Sequence, residues 1–208
     1  MAGGWRDPMT DAELVTLSQQ GDLRAFNELA GKANAGLYSF VRRMLGNAED
    51  AQDVCQESLL KAYVNIGRLR EPEKFSAWLH HIALNLCRDR HRAAKARPVL
   101  QSFEQAGMVE GGSVAAAAAV RPSAEQSAQW GAVQHVLARL SPEQRTAILL
   151  REYQGFTSQE IAEITGVPAA TVRTRIFYGL KAIRGMLDEQ GAGPIRQKRA
   201  IEEGGERR

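Results

Sequence analysis

Phe156-Thr-Ser-Gln-Glu-Ile-Ala-Glu-Ile-Thr-Gly-Val-Pro-Ala-Ala-Thr-Val-Arg-Thr-Arg-Ile176 reads as two short helices joined by a tight turn, the second of them basic. Thr157 and Glu160 have the spacing of a capping box, in which a hydroxyl and a carboxylate satisfy each other's backbone donors at a helix start. Ile161 and Ile164 bury one face, Ala162 is small enough for a second helix to pack close, and Gly166 supplies the turn. The stretch is therefore a helix-turn-helix, a device that sets its second helix in a DNA groove.

At about 100° per residue the second helix sorts into faces. Val172, Ile176, Leu180, Ile183 and Leu187 form a narrow stripe expected to face the core. Thr171, Thr174, Tyr178 and Lys181 point the other way, with Arg173 and Arg175 flanking them. No acid interrupts residues 169–187, where Arg173, Arg175, Lys181 and Arg184 sum to +4. Hydroxyls and a ring on such a face can meet base edges while the guanidinium groups hold phosphates.

Working outward, 208 residues suit one large or two small domains, and 44% hydrophobic content is ordinary for a globular protein. The net charge of +3 is modest, so the basic signal lies in its distribution. No apolar run approaches a membrane span and the N-terminus lacks the regions of a signal peptide, which predicts a cytoplasmic chain. Cys55 and Cys87 make no disulfide framework. Cys87 and His91, one turn apart, could supply half of a metal site, but no other half is in view, and no cofactor is implied.

Interruptions divide the chain. Residues 1–9 read as a loose leader, and 10–97 as a continuously helical first domain punctuated at Gly21, Gly46, Gly67 and Pro72. Residues 98–126, with three glycines, five consecutive alanines and Pro122, read as a flexible linker. Helical periodicity resumes to about residue 190, and a frayed tail follows. The second domain opens at Leu140-Ser-Pro-Glu-Gln-Arg145, where Ser141, Pro142 and Gln144 form another helix start. The predicted architecture is all-α: two small helical domains on a tether, the C-terminal one a four-helix unit with the helix-turn-helix.

Two helices of the first domain have unusual faces. Along 47–66, Ala51, Val54, Cys55, Ser58, Ala62 and Ile66 make the buried side. Glu49, Asp53, Gln56, Glu57, Leu60 and Val64 make the other, which reads either as a dock for a basic, partly apolar partner or as a solvated acidic face. From Phe75, the core stripe is Phe75, Leu79, Ile82, Leu86 and Ala93. Trp78, His81, Asn85, Arg88 and Arg92 recur at spacings of 3 and 4 along one ridge. The tract 88–97 carries five positive charges and one negative, a formal +4. Rings stacking on bases beside cations tracking phosphates suit partly unstacked nucleic acid; for Trp78 alone a core position is an equal reading.

These residues together resemble an extracytoplasmic-function sigma factor, the smallest class of bacterial RNA polymerase initiation factors. The resemblance rests on Asp11-Ala-Glu-Leu-Val15, Gly21-Asp-Leu-Arg-Ala-Phe26, Ala48-Glu-Asp-Ala-Gln-Asp-Val-Cys-Gln-Glu57 and Phe75-Ser-Ala-Trp-Leu-His-His-Ile-Ala-Leu-Asn85. In the second domain it rests on Leu140-Ser-Pro-Glu-Gln-Arg145, Glu160-Ile-Ala162 and Thr171-Val-Arg-Thr-Arg175. Only leader, linker and tail fall outside it.

The resemblance implies partners and roles. The acidic helix would dock on the clamp helices of core RNA polymerase through Glu49, Asp53, Gln56, Glu57 and Leu60. The −10 promoter element would be captured and opened by Lys74, Trp78, His81, Asn85, Arg88 and Arg92. The −35 element would be read as duplex by Thr171, Arg173, Thr174, Arg175, Tyr178 and Lys181. An anti-sigma factor would keep the protein silent. Pro168 stands where many relatives have a serine cap, and the loop 70–74 is short. A 29-residue linker spans roughly 30 Å relaxed and roughly 95 Å extended, against about 70 Å between elements two DNA turns apart. It would therefore be drawn out, as by a third body. A free-standing dimeric regulator on a palindrome, or a sigma mimic that binds an anti-sigma factor without DNA, are the competing classes. No Ser/His/Asp set, phosphate loop or paired-carboxylate site marks an enzyme.

Overall fold

Helix starts coincide with caps the sequence supplies. In the computed structural model, which describes residues 9–96, 131 and 133–189, α1 (Asp11–Gln19) opens on a Thr10/Glu13 capping box. The Asp22 carboxylate accepts from Arg24 and Ala25 N–H at the head of α2 (Leu23–Leu45), and Asn47 caps α3 (Ala48–Asn65). Two short 3₁₀ turns, Ile66–Arg68 and Pro72–Lys74, lead into α4 (Phe75–Ala96). A helical run at 133–138, here α5, precedes α6 (Pro142–Ile148), which starts on a Ser141/Gln144 box. The chain continues as a π-helical turn, Leu149–Tyr153. The helix-turn-helix is α7 (Ser158–Thr165) and α8 (Ala169–Glu189). No strand occurs among the described residues. The leader, the linker 98–126 and the tail lie outside them.

Leu14, Leu29, Phe40, Val41, Val54, Leu79 and Leu84 are buried where α1, α2, α3 and α4 meet, and Leu149, Leu150, Ile161, Ile164 and Val172 fill the C-terminal unit. Side chains of both sets join in one continuous core. The Phe156 ring stands edge-on to His80 at 5.0 Å, and His80 to Phe40 at 5.4 Å. Arg145 Nη1 donates to the Met44 carbonyl at 3.4 Å, and the Arg43 guanidinium lies 4.2 Å from the centre of the Tyr153 ring. The two helical units are thus packed together, an arrangement that sequence periodicity alone does not disclose.

That packing explains two departures from the expected stripes. The middle of α4 is buried on more than one side, with Ala77, His80, Ala83, Leu84 and Cys87 inside as well as Phe75, Leu79 and Leu86, because α7 lies against the face that a lone first domain would leave wet. Ala93 is exposed, near the outer end of that helix. On α8 it is Gly179, not Leu180, that faces α6: Leu180 is 43% exposed, whereas a Cβ on Gly179 would sit 2.5 Å from Ile148 Cδ1. A bare Cα there lets the two helices approach more closely than leucine would allow.

Burial pushes the thiols of Cys55 and Cys87 up to about 12, with each in a closed apolar setting. At neutral pH both are protonated and poor nucleophiles. His80 is buried, with Nδ1 2.8 Å from the Ser76 carbonyl, so Nδ1 carries the proton. Burial holds its pKa below the ordinary value, opposed by the Ser76 contact and by the Gln154 side chain that faces it from the C-terminal unit. Nε2 nevertheless makes no hydrogen bond of ordinary geometry. The unfolded chain therefore takes up this proton at a higher pH than the folded one, so stability falls with acidification once pH drops below about 6.5. Urea midpoints at pH 5 and 7.5 should differ for the parent and differ less for His80→Leu.

Candidate nucleic-acid interface

The turn of the helix-turn-helix is built from Gly166 at φ 73°, a left-handed conformation that costs a Cβ-bearing residue. Its N–H donates to the Ala162 carbonyl at 2.9 Å, Val167 N–H to the same oxygen at 3.3 Å, and Val172 N–H to Pro168 O at 3.1 Å. Pro168 thus stands at the head of α8 where its missing N–H has no ladder partner to lose. At the head of α7, Glu160 accepts from the Thr157 hydroxyl and N–H, both at 2.7 Å, and these bonds hold its carboxyl below the usual range.

With Val172 anchored in the core, Arg173, Thr174, Tyr178 and Lys181 are exposed, and Thr171 and Arg175 are half-buried. The Thr174 hydroxyl donates to the Ala170 carbonyl at 3.0 Å, leaving its oxygen free to accept. Phe177 was missed by the sequence reading. It is 63% exposed, and its ring meets Tyr178 edge-to-face at 5.4 Å. Its angular position between Arg173 and Lys181 was the available signal; an apolar residue invited assignment to the interior.

The ridge on α4 is partly engaged. His81 Nδ1 lies 2.8 Å from the Ile164 carbonyl of α7, and Nε2 lies 3.0 Å from Asn85 Nδ2; both contacts require the proton on Nδ1. Arg88 Nη1 donates to Asn85 Oδ1 at 3.4 Å, and Arg92 pairs with Asp89. Lys74 lies 3.0 Å from Glu71 and 3.3 Å from Glu163 of α7, and these carboxylates, Glu71 first, raise its pKa. Trp78 is half-buried, its ring 6.3 Å from that of Phe75, so its edge belongs to the core and its remainder to the surface. Arg68 and Arg70 join Lys74, Trp78 and His81 around a cleft closed on its far side by Glu163 and Ile164. Arg68 had not been singled out from sequence.

On α3 the buried side is as the periodicity predicts, from Ala51 to Ile66. Glu49, Asp53 and Gln56 are exposed, Glu57 half-buried, and Leu60 and Val64 are 63% and 72% exposed. Arg90 of α4 reaches this row, 3.4 Å from Asp50, 3.8 Å from Asp53 and 3.9 Å from Glu57. These are exposed pairs worth little on their own. His91 Nε2 lies 3.3 Å from the Met44 carbonyl, and no group of three metal-ligating side chains is gathered among the described residues. Nor is any described helix long and apolar enough to cross a membrane.

Among the described residues the chain is helical without strands, and it combines a helix-turn-helix whose second helix carries no acid before Asp188, a basic and aromatic ridge on α4 and an acidic row on α3. Residues 33–97 match the family model for sigma-70 region 2, and residues 130–183 that for sigma-70 region 4. The ECF RNA polymerase sigma factor SigM of Mycobacterium tuberculosis is 34% identical over 175 residues, covering 83% of this chain and 82% of SigM. SigW of Bacillus subtilis is 35% identical, covering 81% of this chain and 92% of SigW. The solved complex of CnrH with the cytosolic domain of CnrY contains a chain of the same fold, at 23% identity and a TM-score of 0.66 over 86% of this chain and 97% of that one. The chain belongs to the extracytoplasmic-function sigma factors of RNA polymerase.

Proposed function

We propose that this sigma factor divides its labour among the three faces described above. Residues 10–97 bind core polymerase through Glu49, Asp53, Gln56, Glu57 and Leu60 and take the opening −10 element on Lys74, Trp78, His81, Asn85, Arg88 and Arg92. Residues 98–126 connect them to residues 127–190, which read the −35 duplex with Thr171, Arg173, Thr174, Arg175, Phe177, Tyr178 and Lys181. Phe177 suits a thymine methyl, the apolar feature of the major groove. The observation that carries this reading is the solvent face of α8, exposed, cationic and free of acids over its first five turns. The protein works in the cytoplasm, where polymerase and promoter are, and catalyses no reaction of its own. An anti-sigma factor regulates it; a relative in fold is solved as a co-crystal of the sigma factor RpoE with the anti-sigma factor NepR from Bartonella quintana.

Run-off transcription with core polymerase on genomic DNA tests the reading: transcripts that depend on this chain support it, and their absence refutes it. Arg173→Ala and Arg175→Ala should each weaken duplex binding and reduce the slope of log affinity against log salt by about one. An unchanged slope removes that arginine from the phosphate contacts.

A further inference from the structure

One wall of the cleft proposed to take the melted strand is the segment between α3 and α4, and its shape is set from outside it. Ile66 is buried and Leu69 packs on the core, while Arg68 and Arg70 beside them line the cleft with Lys74, Trp78 and His81. The carbonyls of Ile66 and Leu69 both meet α1: Gln19 Nε2 donates to the first at 3.0 Å and to the second at 2.8 Å. Two carbonyl acceptors fix the orientation of the amide, because only its NH2 group can face them. The brace is itself held. Leu14 and Val15 are buried, and the end of α1 is closed by Gly21 N–H on the Ser18 carbonyl and Asp22 N–H on the Leu17 carbonyl, both at 3.0 Å. Gln19 lies outside residues 33–97, which match sigma-70 region 2, and lines no part of the cleft.

We propose that Gln19 is a positioning residue for reading the melted strand, holding the Ile66 and Leu69 carbonyls so that Arg68 and Arg70 stand where an unstacked base enters the cleft. This role rests on the reading of the protein as a sigma factor that takes the −10 element here. Contacts to phosphate carry no sequence information and survive a loosened loop, whereas telling one base from another needs donors and acceptors held at hydrogen-bond distance and angle. Loss of the Gln19 donors should therefore cost base discrimination far more than affinity. A wrong base in a well-read site costs about tenfold or more, and with a loosened wall that ratio should fall to about threefold or less.

Gln19→Leu and Gln19→Glu, in the full chain, remove the donors, the second with nearly unchanged shape and an acceptor set against two carbonyls. Gln19→Lys restores a donor and should behave like the parent. Hydrogen exchange reads the loop directly: the amides of Leu69 and Lys74, bonded to the Ile66 and Glu71 carbonyls, should exchange about tenfold faster in the first two variants. Run-off transcription with core polymerase, on templates carrying each single-base change in the −10 element, reads discrimination, which those two variants should lose and Gln19→Lys should keep. Unchanged exchange, or a Gln19→Lys chain no better than Gln19→Leu, overturns the proposal. Faster exchange with the parent's discrimination, or an equal loss on every template, makes Gln19 a structural brace only and overturns the positioning role. A parent chain that yields no transcript refutes the sigma reading itself, and exchange alone then decides whether Gln19 holds the loop.

Discussion

Gly179→Leu should unseat the recognition helix, lowering the stability of the C-terminal unit by about 3 kcal/mol and abolishing duplex binding with it. The cause is steric. The first added carbon alone would lie 2.5 Å from Ile148 Cδ1 and 3.4 Å from Gln144 Cβ and Ile148 Cγ1, and Ile148 is buried with little room to turn aside. For Gly179→Ala the clash is opposed by about 1 kcal/mol of helix propensity gained on leaving glycine, so its net effect is smaller. Ile148→Val removes the colliding methyl. The double variant Gly179→Ala with Ile148→Val should therefore be more stable than the sum of the single effects, by 0.5 kcal/mol or more on a double-mutant cycle of denaturant midpoints, about the size expected of residues in contact. Additivity would show that the close approach of α6 and α8 is not what requires glycine.

Asp53→Asn with Glu57→Gln should weaken core polymerase binding about tenfold or more and flatten its salt dependence, while affinity for isolated duplex −35 DNA stays the same. The substitutions keep shape and remove charge, and the fold should barely notice. Arg90 retains Asp50 at 3.4 Å, and exposed pairs of this kind contribute about 0–1 kcal/mol. Oppositely charged groups brought together across an interface steer encounter and fix register, so the loss falls on association with the partner. The neighbouring Leu60 and Val64, both largely in water, would supply the apolar part of that proposed contact. Equal polymerase affinity in the double variant would return the acidic row to the status of a solvated face.

Capping was legible because it is local: Thr157 with Glu160 and Ser141 with Gln144 form the boxes their spacing predicts. The buried side of α3 was legible for a similar reason, since one helix lies half in a core and half in water and its sequence alternates at the helical period. Thr10 with Glu13 makes a third box of the same chemistry. The interior of α4 was less so: a helix packed on two sides loses the contrast between wet and dry faces. Leu180 falls on the expected core stripe by a related route, because hydrophobicity alone sends large apolar residues inward, yet it stays 43% exposed where Gly179 brings α6 into contact; Phe177, which belongs to neither expected face, is 63% exposed.

Sequence by itself determined the helices, their caps, the turn at Gly166, the run of cations without acids on α8 and the membership of the family, because each depends on residues a few positions apart or on motifs in order. The tertiary structure alone decided that Phe156, Tyr153, Gln154 and Arg145 close on α2 and α4, that His81 and Lys74 are spoken for by α7, and that Gly179 and not Leu180 meets α6. Those outcomes depend on how surfaces distant along the chain fit one another, and side-chain volume and the approach of two backbones leave no periodic mark.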